Sequence, residues 1–199
     1  EKKEDKKPYT KEFSRNLENP LLEEYRNHIK KHKRIFQSLP RIKEIYLCNS
    51  ITFNKLHPWS DIDLFIIVKK GCLWRARLAS ALIFFLLWLK RSKNTTDKKY
   101  CLSFYITEEA QNLYTISLPN TDIYLAYRFA HLVPLYQETI SKNTIYEDNQ
   151  RISSLLPNLS KDHYLIDLWL PLYQWSTKFK TIIEKYVGGF FWHIVEYLI

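Results

Sequence analysis

Residues 45–68 read IYLCNSITFNKLHPWSDIDLFIIV, and the fold turns on this stretch. Two apolar runs, Ile45–Cys48 and Leu64–Val68, bracket a polar Asn49-Ser50 turn, a short connector and the triplet Asp61-Ile62-Asp63. Side chains alternate along a strand, so carboxylates two residues apart point to one face. Two like charges that close repel unless a cation sits between them. Near the mouth of a sheet, that pair suits a divalent metal.

The pattern continues outward on both sides. Upstream, Asn19 is placed to cap a helix, with Pro20 in its first turn and Glu23 and Glu24 near its positive end. Leu21, Leu22, Tyr25, Ile29, Ile35 and Phe36 form a rough apolar stripe, and Pro40 closes the segment. His28 and His32 stand four apart, the zinc-protease spacing, but no Glu follows the first, and solvated histidines are expected. Ile42–Cys48 is expected as the first strand, Ser50–His57 as a short helix and Asp61–Val68 as the second strand. Cys72–Arg91 is expected as a long helix and Tyr100–Thr107 as the third strand. From about Tyr114 the pattern predicts helices only: Asp122–Glu138 kinked at Pro134, a helix from about Thr144 to Leu156, then Asp162–Pro171 and Leu172–Tyr186, with a break at Gly188-Gly189. The order implies an α/β (α+β) domain with a small sheet and flanking helices over 19–113. A charged, flexible tail (1–18) precedes it and a helical domain (114–199) comes after it.

Composition narrows the function classes. The 199 residues hold 30 Lys+Arg against 21 Asp+Glu, a net charge of +9 that favours phosphate-bearing partners. Gly occurs only 3 times, which argues against a glycine-rich phosphate loop, and neither GxGxxG nor GxxxxGK[ST] is present. Cys48, Cys72 and Cys101 form no CxxC pair, so disulfide and zinc frameworks are not indicated and a reducing, cytoplasmic setting is expected. Leu78–Leu89 is an apolar run of 12 residues, short of the ~20 a membrane span needs, and reads as a buried core helix. No stable membrane span is expected.

Asn49-Ser50 at the start of a short helix offers a hydroxyl and backbone N–H groups to a phosphate. Ten residues later Asp61 and Asp63 appear, and Lys55 lies between. The run LCNS, ten residues, DIDLFIIV resembles the signature of the DNA polymerase β-like nucleotidyltransferase superfamily, and the helical second half resembles its minimal and aminoglycoside-type members. The resemblance implies a mixed sheet of that type, and transfer of a nucleoside monophosphate from a Mg²⁺-bound NTP to an acceptor hydroxyl. On that basis Asp61 and Asp63 are the catalytic and metal-binding carboxylates, with Asn49, Ser50 and Lys55 at the nucleotide. The acceptor stays open between small molecule, protein and RNA, and the expected partners include a homo-oligomer or a small protein.

Two positions depart from the family pattern. Its Gly is Asn49 here, a residue that tolerates left-handed backbone better than most. Its third carboxylate falls on the third strand, at Ser103 or a neighbour, where CLSFYIT holds no acid; Asp97, Glu108 and Glu109 flank it. These departures leave two further readings open: a nucleotide-binding or interaction module on the same fold with a degraded site, and an antitoxin-type enzyme that modifies a partner protein. If no third carboxylate lies within ~4–6 Å of the pair, binding takes precedence over turnover.

Overall fold

A computed structural model of the chain describes residues 20–53, 55–117, 122–138, 144–150 and 174–187. The expected tail (1–18), the helix beyond residue 150, the Asp162–Pro171 helix and the Gly188-Gly189 break lie outside the described residues. The predicted apolar stripe yields two helices, α1 (Pro20–Lys31) and α2 (Lys33–Ser38), separated at His32. Leu22, Tyr25 and Ile29 repeat at helical spacing and are buried together.

The strands β1 (Ile42–Cys48), β2 (Ile62–Val68) and β3 (Tyr100–Thr107) form where the apolar runs predict them. Between β2 and β3 runs α3 (Leu73–Leu86). With a fourth strand, β4 (Val133–Gln137), the sheet order is β3-β2-β1-β4, with β1 antiparallel to β2 and β2 parallel to β3. The parallel pair needs a crossover, and α3 supplies it.

β4 (Val133–Gln137) is a correction to the sequence reading. Residues 122–138 were expected as one kinked helix. They form α4 (Ile123–Ala130) and then a strand antiparallel to β1. The apolar run through both elements hides the change of period. β4 is an edge strand, and Pro134 sits beside a register shift opposite Ile45 and Tyr46. Proline is tolerated at edges and bulges, where its missing N–H leaves no ladder bond unmade. The sheet thus takes a strand from a segment expected to be helical throughout.

Both faces of the sheet are covered. Ile45, Leu47, Leu64 and Ile66 face Tyr25, Ile29, Phe36, Ala76 and Phe84 of α1, α2 and α3. Tyr46, Phe65 and Ile67 face Leu113, Ala126 and Phe129, with Ile145 from α5 (Thr144–Asp148). Removing such side chains from water is worth ~1.5–3 kcal/mol each, which makes these two layers the main source of stability.

The last described helix, α6 (Gln174–Val187), docks at the end of the sheet where β2 leaves it. Glu184 accepts from the Arg41 backbone N–H at 2.7 Å, and Lys180, 3% exposed, donates to the Ile42 carbonyl. Lys180 and Lys69 each lie 3.0 Å from Glu138. A buried ammonium needs such partners.

Two further expectations change. His28 and His32 are half-buried rather than solvated: they pack on Tyr100, and His32 Nδ1 lies 3.0 Å from the Tyr100 hydroxyl. Burial and the neighbouring His28 hold the His32 pKa down to about 4. The apolar helix α3 buries only one side, Ala76, Ser80 and Phe84, while Trp74, Leu78, Leu82, Phe85 and Leu86 are exposed. It is not the buried core helix that its composition predicts. Among the described residues, no helix is long and apolar enough to cross a membrane.

Candidate active site

β1 and β2 pair so that Cys48 faces Asp63, which brings the turn after β1 beside the start of β2. The expected Ser50–His57 helix is a single 3₁₀ turn, Asn49–Ile51. Asn49 enters it with φ 61°, the left-handed conformation that Gly adopts most readily and Asn tolerates. Its amide donates to Asp63 Oδ2 at 2.8 Å, while its Oδ1 is buried with no hydrogen-bond partner. The turn is closed by Thr52, whose N–H and hydroxyl both donate to the Asn49 carbonyl at 2.9 Å.

The approach to Asp61 is fixed from the other side. The buried Tyr25 donates its hydroxyl to the Ser60 carbonyl at 2.6 Å, and Lys98 N donates to the same carbonyl at 3.0 Å. Ile62 N donates to Lys99 O at 2.8 Å, which ties the loop before β3 to the start of β2.

Asp61, Asp63 and Cys101 offer ligand atoms that all lie within 4.8 Å of one another. Cys101 pairs directly with Asp63 across the parallel ladder. The position expected for the third acid is Ser103 or a neighbour. An even ladder back from the Phe65–Phe104 pair would set Leu102 opposite Asp63; the register shift between Asp63 and Phe65 sets Cys101 there instead. Ser103 is exposed, 2.9 Å from the Cys101 thiol.

Among the described residues no third carboxylate joins the group. Glu108 and Glu109 stand at the far end of β3 and are engaged there, Glu108 with Lys43 at 2.6 Å and Glu109 with Lys70. Asp97 is exposed, 3.8 Å from Lys98.

A guanidinium completes the site. Arg91 donates Nη1 to Asp61 Oδ2 at 2.8 Å and reaches toward the Cys101 sulfur at 3.8 Å. Its own N–H donates to Tyr100 O at 3.0 Å, which anchors the residue beside β3. Burial and the charge of Asp63 push the Asp61 carboxyl above the usual carboxylate range, while Arg91 pulls it back. Burial raises the Cys101 thiol, so it stays protonated near neutral pH.

Of the residues singled out from sequence, Asp61, Asp63 and Asn49 come together; Ser50 is half-buried in the same turn. Lys55 is exposed on the connector, and the described ion pairs of Asp61 and Asp63 do not include it. Sequence reasoning missed Arg91 and Cys101 as site members. Arg91 lies 30 residues from Asp61, and only the β3 register could have revealed Cys101.

The donors fit a divalent cation of the Mg²⁺ type, which takes one or two carboxylates and draws its other ligands from water and phosphate oxygens. The neutral thiol is a poor ligand for so hard an ion. No curated protein resembles the chain closely enough to count as a match. Residues 29–110 match the model of the nucleotidyltransferase domain family, a span that holds the turn, both aspartates, Arg91 and all of β3. Domains of this kind transfer a nucleoside monophosphate from an NTP and typically use a divalent metal. This match over residues 29–110 is consistent with a nucleotidyltransferase domain of the polymerase β-like superfamily.

Proposed function

We propose that Asp61 and Asp63 hold a Mg²⁺–NTP complex, with Ser50 and the backbone of the Asn49–Ile51 turn at the phosphates. Lys55 is the flexible cation that meets the triphosphate from the connector. The reaction of the domain is then transfer of a nucleoside monophosphate to an acceptor hydroxyl, with release of pyrophosphate. The supporting observation is the juxtaposition of two carboxylates and a left-handed turn, with ligand atoms of Asp61, Asp63 and Cys101 within 4.8 Å. A divalent ion bound there would offset the triphosphate charge and orient it for in-line displacement.

Nucleotide binding is the part of this proposal that the geometry supports best. Turnover also needs a group to take the acceptor proton, and a protonated thiol does not serve. Cys101 at the third position favours the second reading, a domain that binds metal–NTP without releasing pyrophosphate. We propose that the chain divides near residue 113, with residues 133–137 belonging to the first part through their pairing with β1. The acceptor would then lie between the sheet domain and the carboxyl-terminal part of the chain.

The test is pyrophosphate release from each NTP with Mg²⁺ or Mn²⁺, across small-molecule, RNA and protein acceptors, beside direct NTP-binding measurements. Release that is lost in Asp61→Asn/Asp63→Asn supports the transferase. Metal-dependent binding with no release supports the binding module. No metal-dependent binding at all would sink both.

A further inference from the structure

The helix α3 carries an apolar stripe that no described residue covers. Trp74, Leu78, Leu82 and Leu86 repeat every four residues along one side of the helix, and Phe85 and Trp88 widen it at its carboxyl end. Phe85 is 65% exposed and Trp88 83%. Soluble surfaces rarely expose contiguous patches of large apolar side chains without a use for them.

The charge along this stretch of sequence has one sign. From residue 64 to residue 96 the chain contains no Asp or Glu. Over the same span it carries Arg75, Arg77, Lys90 and Lys93 at or beside the helix, while Lys70 pairs with Glu109 and Arg91 with Asp61. Arg77 lies over the Trp74 ring at 5.4 Å, which sets a cation at the edge of the apolar face. Lys90 and Lys93 are exposed. A surface with Trp, Phe and Leu in the middle and lysine and arginine around them suits the boundary between lipid headgroups and acyl chains.

We propose that this face of α3 docks on an anionic lipid surface and holds the domain there peripherally. Charge complementarity selects this occupant. A second copy of the chain would bring the same basic rim against itself. The chain's own apolar stretch 188–199 carries Glu196 as its one acidic residue and leaves the rim unmatched. The helix is 14 residues long, suited to lying in the interface rather than crossing it.

The test uses the full chain and cosedimentation with vesicles of phosphatidylcholine, with or without about one-third phosphatidylglycerol. Binding is expected to be about 10-fold or more stronger on the anionic vesicles and to weaken with salt. Leu82→Ser with Phe85→Ser should lower it by about 10-fold, with the circular dichroism of the folded chain kept. Lys90→Gln with Lys93→Gln should lower it several-fold. No binding to the anionic vesicles, or binding that the Leu82/Phe85 variant leaves unchanged, overturns the proposal. A Leu82→Cys variant separates the rival occupants. Rapid maleimide labelling in solution, and protection by anionic vesicles, support lipid docking. Protection without vesicles at every protein concentration means that the chain covers its own face. Protection that grows with concentration alongside a larger species means a second copy. Either of these overturns the proposal.

Discussion

Arg91→Gln removes the guanidinium that bonds Asp61 among the described residues, and its effect on cation binding can be worked from the geometry. Arg91 Nη1 lies 2.8 Å from Asp61 Oδ2, and the Arg91 side chain is 48% exposed. An ion coordinated to that carboxylate would stand ~5 Å from the guanidinium charge. With two charges on the ion and the dielectric of water, suited to so exposed a group, the repulsion is about 1.7 kcal/mol. Loss of Arg91 should therefore tighten binding of Mn²⁺ alone by roughly fifteen-fold. The assay is a titration that reads free Mn²⁺ by electron paramagnetic resonance, without nucleotide. The gain should shrink in about 1 M salt, where the screening length falls to ~3 Å. Unchanged or weaker Mn²⁺ binding in Arg91→Gln would refute the placement of the ion at Asp61.

The other predictions address the turn, the third position and a half-buried histidine. Asn49→Val forces a β-branched residue to φ 61° and removes the bond to Asp63; it should cost about 2–3 kcal/mol in urea unfolding. Asn49→Gly keeps the turn and should cost about 1 kcal/mol or less; equal losses would show that backbone conformation is not what position 49 supplies. Cys101→Asp puts a carboxylate beside the pair, so Mn²⁺ should bind at least ~10-fold tighter, and pyrophosphate release should appear or rise. Unchanged metal affinity would mean that Cys101 does not face the ion. His32, held down to about 4 by burial and His28, stays neutral in the fold at pH values where the unfolded chain has already taken up a proton. Its contribution to stability is complete above about pH 6.5 and is lost as pH falls toward about 4. Discounted for its partial exposure, the loss is about 1–2 kcal/mol. His32→Gln should flatten urea stability over that window relative to the parent chain, and an identical slope would contradict the assignment.

Local signals carried most of the sheet. β1 and β3 arise from short apolar runs rich in Ile, Leu, Tyr and Phe, and their bounds agree with the structure. The left-handed Asn49 agrees with the chemistry of its side chain, because Asn adopts that φ more readily than most residue types. The features that stayed hidden depended on contacts distant in sequence. β4 shares an unbroken apolar pattern with α4, and only its pairing with β1 tells the two apart. The third site position is expected at Ser103 or a neighbour, and only the strand pairing, which sets Cys101 opposite Asp63, shows which residue of β3 stands beside the pair. Arg91 looked like one more charge at the end of an apolar run; only the loop that returns the chain to β3 brings it to Asp61. The apolar face of α3 is the reverse case, since its composition predicts burial and the described layers leave it exposed.

The account stands on Asp61 and Asp63 sharing a divalent ion that carries an NTP. Its most direct test is a crystal structure of the chain with Mn²⁺ and a non-hydrolysable NTP analogue, using the anomalous signal to locate the metal. The account predicts one Mn²⁺ between the two carboxylates, with triphosphate oxygens completing its shell beside Ser50. A nucleotide bound elsewhere, with Asp61 still held by Arg91 and Asp63 by Asn49 and no metal between them, would contradict it.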